Sequence, residues 1–283
     1  MPELPEVEVL VRHLQRTLPG KIIRKVQVNR AKSLRPTSER DFRRVLTGAK
    51  FKAVSRRAKY LLFELLPRSG RDTIKLLGHL GMTGRMFLAP KNAPIPKHTP
   101  VVLDLGETNF IYEDFRYFGR LSLDVSVLEK LGPEPLTDDF TPESFARELK
   151  RSRQSIKIKL LDQTLIAGVG NIYASEALFR AHISPKKASN RLNLDQVKRL
   201  HAAIREVLVE AIGFGSTVPV NFGNAKSDGL FYFGKAPGAL EFYEERLRIY
   251  DRTGEPCPEC GTSIRRIVQA ARSTFFCPTC QKV

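Results

Sequence analysis

All four cysteines of this 283-residue chain fall in its last 27 positions, as Cys257-x-x-Cys260 and Cys277-x-x-Cys280 with sixteen residues between the pairs. Each Cys-x-x-Cys turn can present two sulfurs to one tetrahedral ion about 2.3 Å away. A cytosolic chain that gathers every cysteine in one place more often holds a metal than disulfides. Four thiolates leave no open position for water, so the expectation is one zinc ion, structural rather than catalytic. The segment between the pairs, with Ile264, Ile267, Val268 and Phe275-Phe276, suits a β-hairpin turning near 270–273, with Arg272 near its tip. Residues 246–283 hold seven Arg/Lys against three acids, so the module stays basic after four thiolates and one zinc ion subtract two charges. A tip guanidinium in such a module suits a phosphate or a groove of DNA; the plainer reading is a staple for the C-terminus.

The whole chain carries 47 Lys+Arg and 30 Asp+Glu, a net charge of +17. An excess of that size answers most often to nucleic acid, with ribosome association and simple solubility as the other readings. No stretch approaches the roughly 20 apolar residues of a membrane helix. The opening MPELPEVEVL is acidic and amphipathic, unlike the basic-then-apolar design of a signal peptide, so the expected location is cytosolic.

Periodicity divides the chain. Leu4, Val7, Val11, Leu14 and Leu18 recur at spacings of three and four, which predicts a helix over 3–18 stopped by Pro19-Gly20. Short β-like segments follow at 21–28, 50–55, 60–65, 73–78, 100–105, 108–113 and 119–124, punctuated by Gly, Pro and Asn as in a sandwich or barrel. Beyond Leu131-Gly132-Pro133-Glu134-Pro135, segments 142–150, 155–163, 171–180 and 194–212 read as helical. Asn193 with Gln196 suits the start of the last helix, and Gly213 and Gly215 its end. The expected fold is α+β: an N-terminal two-layer β-sandwich with flanking helices over 1–130, a linker at 131–140, a helical domain over 141–240 and a zinc-finger hairpin over 241–283.

Pro2 follows the initiator Met, whose removal exposes a secondary amine. An α-amine titrates near 7.7–8.0, and the positive end of the following helix disfavours its ammonium form further. Attack of such an amine on a sugar C1′ gives an iminium ion, an electron sink for strand cleavage. Glu3 and Glu6 lie one turn apart, on the helix face away from the Leu4/Val7/Val11 stripe, where carboxylates can move protons. Pro beside acids is equally an ordinary helix start.

Met-Pro-Glu-Leu-Pro-Glu-Val-Glu at 1–8 resembles the opening of formamidopyrimidine-DNA glycosylases. Four further segments resemble motifs of the same family. Arg57-Ala58-Lys59-Tyr60-Leu61 is similar to its strand-borne lysine motif, and His79-Leu80-Gly81-Met82-Thr83-Gly84 to its first DNA-inserting loop. Leu161-Asp162-Gln163 with Ala167-Gly168-Val169-Gly170-Asn171 through Glu176 resembles its helix–two-turns–helix motif, and Arg272-Ser273-Thr274-Phe275-Phe276-Cys277 its zinc-finger turn.

The resemblance implies a bifunctional glycosylase and abasic-site lyase of base excision repair in a bacterium. Such an enzyme removes 8-oxoguanine and formamidopyrimidines from double-stranded DNA as a monomer at the nucleoid, and nicks the strand by β,δ-elimination. Pro2 would be the nucleophile, Glu3 the proton donor that opens the sugar, and Glu6 a supporting carboxylate. Lys59 would contact phosphate or the damaged nucleotide from its strand, unless it is merely a solvated edge lysine. Arg272 would hold a phosphate, and Asn171 would join the backbone N–H groups of its turn on another. His98 matches a DNA-contact histidine. A base in a duplex must be flipped out and the gap filled. Met82, Arg116 and Phe118 match the fillers, although Met82 and Phe118 would also suit a core.

Two segments depart from the family pattern. Where Asp-Pro-Arg-Arg-Phe-Gly is common, this chain reads Asp114-Phe115-Arg116-Tyr117-Phe118-Gly119, which keeps one arginine and loses the next as a phosphate contact. After Ser227-Asp228-Gly229 comes an aromatic run, Leu230 to Lys235, that can stack on a flipped base or pack its own loop down. Two rival readings are an endonuclease VIII-like enzyme, whose usual Pro-Glu-Gly-Pro-Glu opening conflicts with Leu4, and a catalytically silent zinc-ribbon protein that binds DNA.

Overall fold

The computed structural model describes residues 2–68, 70, 72–215 and 247–282. The aromatic run at 230–235 lies outside the described residues. The chain forms two compact units, one of residues 2–129 and the other of 130–214 with the C-terminal segment.

The first unit opens with α1 (Leu4–Thr17), whose Leu4, Val7, Leu10 and Leu14 are fully buried. Eight strands make two antiparallel four-stranded sheets: β1 (Lys25–Val28), β2 (Lys50–Arg57), β3 (Tyr60–Leu66), β4 (Ile74–His79), β5 (Gly84–Pro90), β6 (Val101–Asp104), β7 (Thr108–Asp114) and β8 (Arg120–Ser122). One sheet runs β1-β6-β7-β5 and the other β2-β3-β4-β8. The sheets meet through aromatic rings, with Phe110 of β7 at 5.6 Å from Phe63 of β3 and 6.2 Å from Phe51 of β2. Edge-to-face and tilted pairs at this spacing add about 0.5–1.5 kcal/mol each beyond their buried area. Helix α1 packs on β2 and β3. The expected helix-flanked sandwich is therefore present.

Two elements escaped the pattern reading. Strand β5 buries residues on both faces, so it lacks the strict alternation that marks a half-buried strand. Helix α2 (Glu39–Leu46) buries only Phe42 and Leu46, and its charges hide the period, although Ser38 caps it by accepting the Asp41 N–H at 3.1 Å.

The second unit contains α3 (Pro142–Lys150), α4 (Ile156–Leu160), α5 (Asn171–Arg180) and α6 (Leu194–Gly215). Asn193 and Gln196 form the expected reciprocal cap, at 2.8 and 3.2 Å. Gly213 does not stop α6, which runs on to Gly215; a single glycine costs a helix only about 1 kcal/mol relative to alanine. The tail folds back as β9 (Arg265–Gln269) and β10 (Arg272–Phe276), joined by Ala270-Ala271, both in the left-handed region at φ 47° and 59°. That is the two-residue turn that matches strand twist. Phe179 of α5 packs with Ile249, Cys257, Ile264, Phe275 and Cys277, so the cysteine module shares a core with the helices.

Candidate active site and nucleic-acid interface

Pro2 is buried at the head of α1. Glu3 is the N-cap rather than a residue on a helical face, and it and Glu6 form a capping box in which the Glu6 carboxylate accepts the Glu3 N–H at 2.8 Å. Their side chains are 1% and 0% exposed, which corrects the expectation that they sit on the outward face of the helix. The physical reason is the orphan N–H groups of the first turn: carboxylates that accept from them near the positive helix end tolerate burial. The result is two carboxylates shielded from bulk water, one and four positions beyond the buried Pro2.

Lys59 is not on a strand. It occupies the two-residue turn between β2 and β3, after Ala58 in the left-handed region at φ 53°, and is 8% exposed. A solvated edge lysine is thereby excluded. Its turn is tied to α1, because Arg56 pairs with Glu8 at 2.8 Å and also donates to the Ala58 carbonyl at 3.0 Å. Next to it, His79 packs tilted against Tyr60 with ring centroids 4.8 Å apart and accepts the Gly81 N–H on Nδ1 at 3.2 Å. Burial, helped by the charges of Lys59 and Arg120, lowers the His79 pKa to about 4, so the ring is neutral near pH 7 and offers an Nε2–H donor.

Met82 and Phe118 are 40% and 56% exposed, which rules out core filling for both. Their loops are built as one device around Asp114, a fully buried carboxylate at the end of β7. It accepts from Gly119 N–H at 2.7 Å, Thr83 Oγ1 at 2.7 Å, Arg116 N–H at 3.2 Å and Tyr112 O–H at 3.3 Å. Thr83 Oγ1 in turn accepts the Arg116 N–H at 3.1 Å, linking the Met82 loop to the Arg116 loop. The loops also touch through backbone: a Cβ on Gly81 would lie 2.5 Å from the Gly119 nitrogen. Arg116 is exposed, with its guanidinium 4.8 Å from the Phe118 ring centre. His98 hydrogen-bonds Tyr117 at 3.1 Å and stacks edge-on against Phe115 at 4.5 Å. Asp114→Ala would strand several donors at once. Unfolding in urea is expected to show a loss of about 3 kcal/mol, and an unchanged midpoint would contradict the hub assignment.

In the second unit, Gln163 holds the 167–170 turn by accepting the Gly168 N–H at 2.9 Å and donating to the Val169 carbonyl at 2.8 Å. Asn171 opens α5, but its side-chain amide donates to the Ser273 carbonyl at 2.9 Å and faces the Tyr250 hydroxyl at 3.4 Å. Its side chain thus joins the helical motif to the finger hairpin. Arg272, exposed, is the first residue after the hairpin turn, opposite Gln269. Gln269 donates to Ser155 Oγ at 3.0 Å, so both sides of the tip are anchored.

Three further residues have structural roles that the sequence reading did not assign. Lys157 is fully buried and donates to the Asn171 carbonyl at 2.7 Å and to Ser175 Oγ at 2.5 Å. Glu176 accepts the N–H groups of Arg248, Ile249 and Tyr250 at 3.0, 3.0 and 2.8 Å, clamping the tail onto α5. Burial raises its pKa, and those three bonds offset part of the rise. Asp114 is the third.

The four sulfurs of Cys257, Cys260, Cys277 and Cys280 all lie within 4.8 Å of one another, with Cys260–Cys277 at 3.4 Å and Cys257–Cys280 at 3.9 Å. A tetrahedral zinc with Zn–S bonds of about 2.3 Å requires sulfurs roughly 3.8 Å apart. No disulfide joins them. The cage fits one structural zinc ion.

Three family models match consecutive parts of the chain: the formamidopyrimidine-DNA glycosylase N-terminal domain at residues 1–121, its H2TH domain at 131–221, and the zinc finger found in FPG and IleRS at 254–283. The formamidopyrimidine-DNA glycosylase of Carboxydothermus hydrogenoformans is 39% identical over 282 residues, with both chains fully covered. The chain belongs to the formamidopyrimidine-DNA glycosylase family. The Listeria innocua member is 37% identical, again over the full length of both. Among solved structures, the Lactococcus lactis enzyme in complex with N7-benzyl-Fapy-dG DNA has 36% identity and a TM-score of 0.86, covering all of both chains. The same organism's glycosylase bound non-covalently to abasic-site DNA has 34% identity and a TM-score of 0.85, covering 99% and 100%.

Proposed function

We propose that this glycosylase attacks oxidised purines in double-stranded DNA, 8-oxoguanine and formamidopyrimidines among them, with the nitrogen of Pro2, and then cleaves the strand at the abasic site. The observation that carries the reading is a pair of buried carboxylates, Glu3 and Glu6, one and four positions after a buried Pro2 in a chain of this family. Attack of the Pro2 nitrogen on C1′ breaks the glycosidic bond, and the base leaves with its electron pair and takes up the proton that the attacking N–H gives up. Glu3 protonates the ring oxygen, the sugar opens, and an iminium ion links C1′ to Pro2. Loss of a C2′ proton then expels the 3′ phosphate, and a second elimination expels the 5′ phosphate. Glu6 supports Glu3 by fixing the cap.

Lys59, with neutral His79 beside it, binds the backbone of the damaged strand. Met82 and Phe118 replace lost stacking where the nucleotide is extruded, and Arg116 hydrogen-bonds the widowed base. His98 lines the same loop. In the second unit, Arg272 and the N–H groups of the turn before Asn171 bind phosphates. Catalysis and the gap-filling contacts belong to 1–130, and the phosphate grip of the Asn171 turn and Arg272 to 141–240 and 241–283, with 131–140 as linker. The protein works as a monomer in the cytoplasm, beside the nucleoid; among the described residues, no helix is long and apolar enough to cross a membrane.

The test is a duplex with a single 8-oxoguanine. Excision with both 3′ and 5′ phosphate ends is expected, faster than for an oxidised pyrimidine. The reverse preference would return the endonuclease VIII-like reading, and no excision of either would leave a DNA-binding protein. Affinity for an uncleavable abasic analogue should fall by about 10³-fold between 50 and 200 mM salt, as for roughly six phosphate contacts. A flat response would contradict phosphate-led binding.

A further inference from the structure

Tyr117 stands where the family pattern carries a second arginine, and its backbone is left-handed at φ 56°, a conformation that costs a non-glycine residue roughly 1–2 kcal/mol. Its ring is held in place from two sides. The hydroxyl hydrogen-bonds His98 Nδ1 at 3.1 Å, and the guanidinium carbon of Arg30 lies 4.1 Å from the ring centre. Arg30 comes from a different part of the sheet, just beyond β1, where its N–H bonds to the Pro100 carbonyl at 3.3 Å. It is exposed, and among the described residues no carboxylate pairs with it. A cation is thus held next to the loop that carries Arg116 and Phe118, with no ion pair to an acidic side chain among the described residues.

We propose that Arg30, seated on Tyr117, is a phosphodiester-binding residue of this loop and moves to a neighbouring strand end the charge that position 117 has lost. A guanidinium stacked by its face on an aromatic ring keeps its N–H edge free, and that edge matches two phosphate oxygens in one plane. Stacking also removes much of the entropy an extended arginine loses on binding. The left-handed residue thus carries a ring that meets both Arg30 and His98, which gives the strained conformation a use. The inference rests on the reading that the Arg116 loop enters DNA.

The probe is a duplex carrying an uncleavable tetrahydrofuran abasic analogue, with affinity measured from 50 to 200 mM salt. Arg30→Ala is expected to weaken binding on the order of tenfold at low salt and to reduce the slope of log K against log salt by about 0.9, the loss of one phosphate contact. Arg30→Lys should restore the slope. Tyr117→Ala should produce the loss seen with Arg30→Ala, and the double variant should be no worse than either single one. A purely structural pair would lower the melting temperature without changing the slope. Arg116→Ala separates the two levels of the argument. If it weakens binding and Arg30→Ala leaves affinity and slope intact, or if the Arg30 and Tyr117 losses add, the Arg30 assignment is wrong. If neither variant changes affinity, the reading of the loop as a DNA contact fails with it.

Discussion

Extending the chain ahead of Pro2, by a short Gly-Ser tag or by retaining Met1, is expected to lower base excision and strand cleavage by at least about 10³-fold. An extension converts the secondary amine into an amide, whose lone pair is delocalised into the carbonyl and cannot form an iminium ion. Pro2→Gly keeps a free amine but makes it primary and releases the fixed φ of proline, so a smaller loss is expected. Fold and DNA affinity should survive either change, because the α1 cap is made by Glu3 and Glu6 and the core by Leu4, Val7, Leu10 and Leu14. Equal loss of binding and catalysis would instead mean that the head of α1 serves to hold the fold. Glu3→Gln tests the same centre from the acid side: excision should fall while cleavage of a preformed abasic site falls less, because its sugar already opens spontaneously.

The second large effect concerns zinc. A two-stranded hairpin of five residues per strand is marginal by itself in water, whereas a structural zinc site contributes about 10–16 kcal/mol of apparent folding free energy. Cys257 and Cys277 are themselves part of the core with Phe179, Ile249, Ile264 and Phe275. Losing the ion therefore opens the core and not only the surface. Chelation or Cys277→Ser is expected to abolish hydrogen-exchange protection across β9 and β10. It should also free the 248–250 segment from Glu176 and weaken DNA binding by at least about tenfold, since Arg272 and the Ser273 contact to Asn171 depend on the hairpin. The sandwich of 2–129 should keep its protection. Unchanged DNA affinity after verified zinc loss would show the finger to be a staple alone.

What the sequence disclosed depended on how local the cause was. The cysteine cage was readable because each pair of ligands is separated by only two residues, and the Asn193–Gln196 cap because it closes within one turn. Gly81 and Gly84 flank Met82 as in an exposed loop, and the close approach of Gly81 to Gly119 explains the first of these glycines. The fate of Glu6 was not readable: its spacing from the apolar stripe points outward, yet the unsatisfied N–H groups of the first turn draw it in. Lys157 falls in a segment read only as helical, and the Asn171 carbonyl and Ser175, 14 and 18 residues away, explain its burial. Asp114 is similar, since its partner Thr83 lies 31 residues back. Tyr117 read as a lost phosphate contact because its neighbour on the ring face, Arg30, belongs to another strand end.

The role of the residue-2 nitrogen is tested most directly by covalent capture. The protein with Met1 removed is incubated with an 8-oxoguanine duplex and sodium borohydride, which reduces an iminium to a stable amine, and the adduct is digested and sequenced by mass spectrometry. The account predicts one cross-linked peptide, carrying the deoxyribose remnant on Pro2 and absent when the N-terminus is extended. A remnant on Lys59, Lys157 or any other lysine, or no adduct under conditions where the base is released, would contradict it.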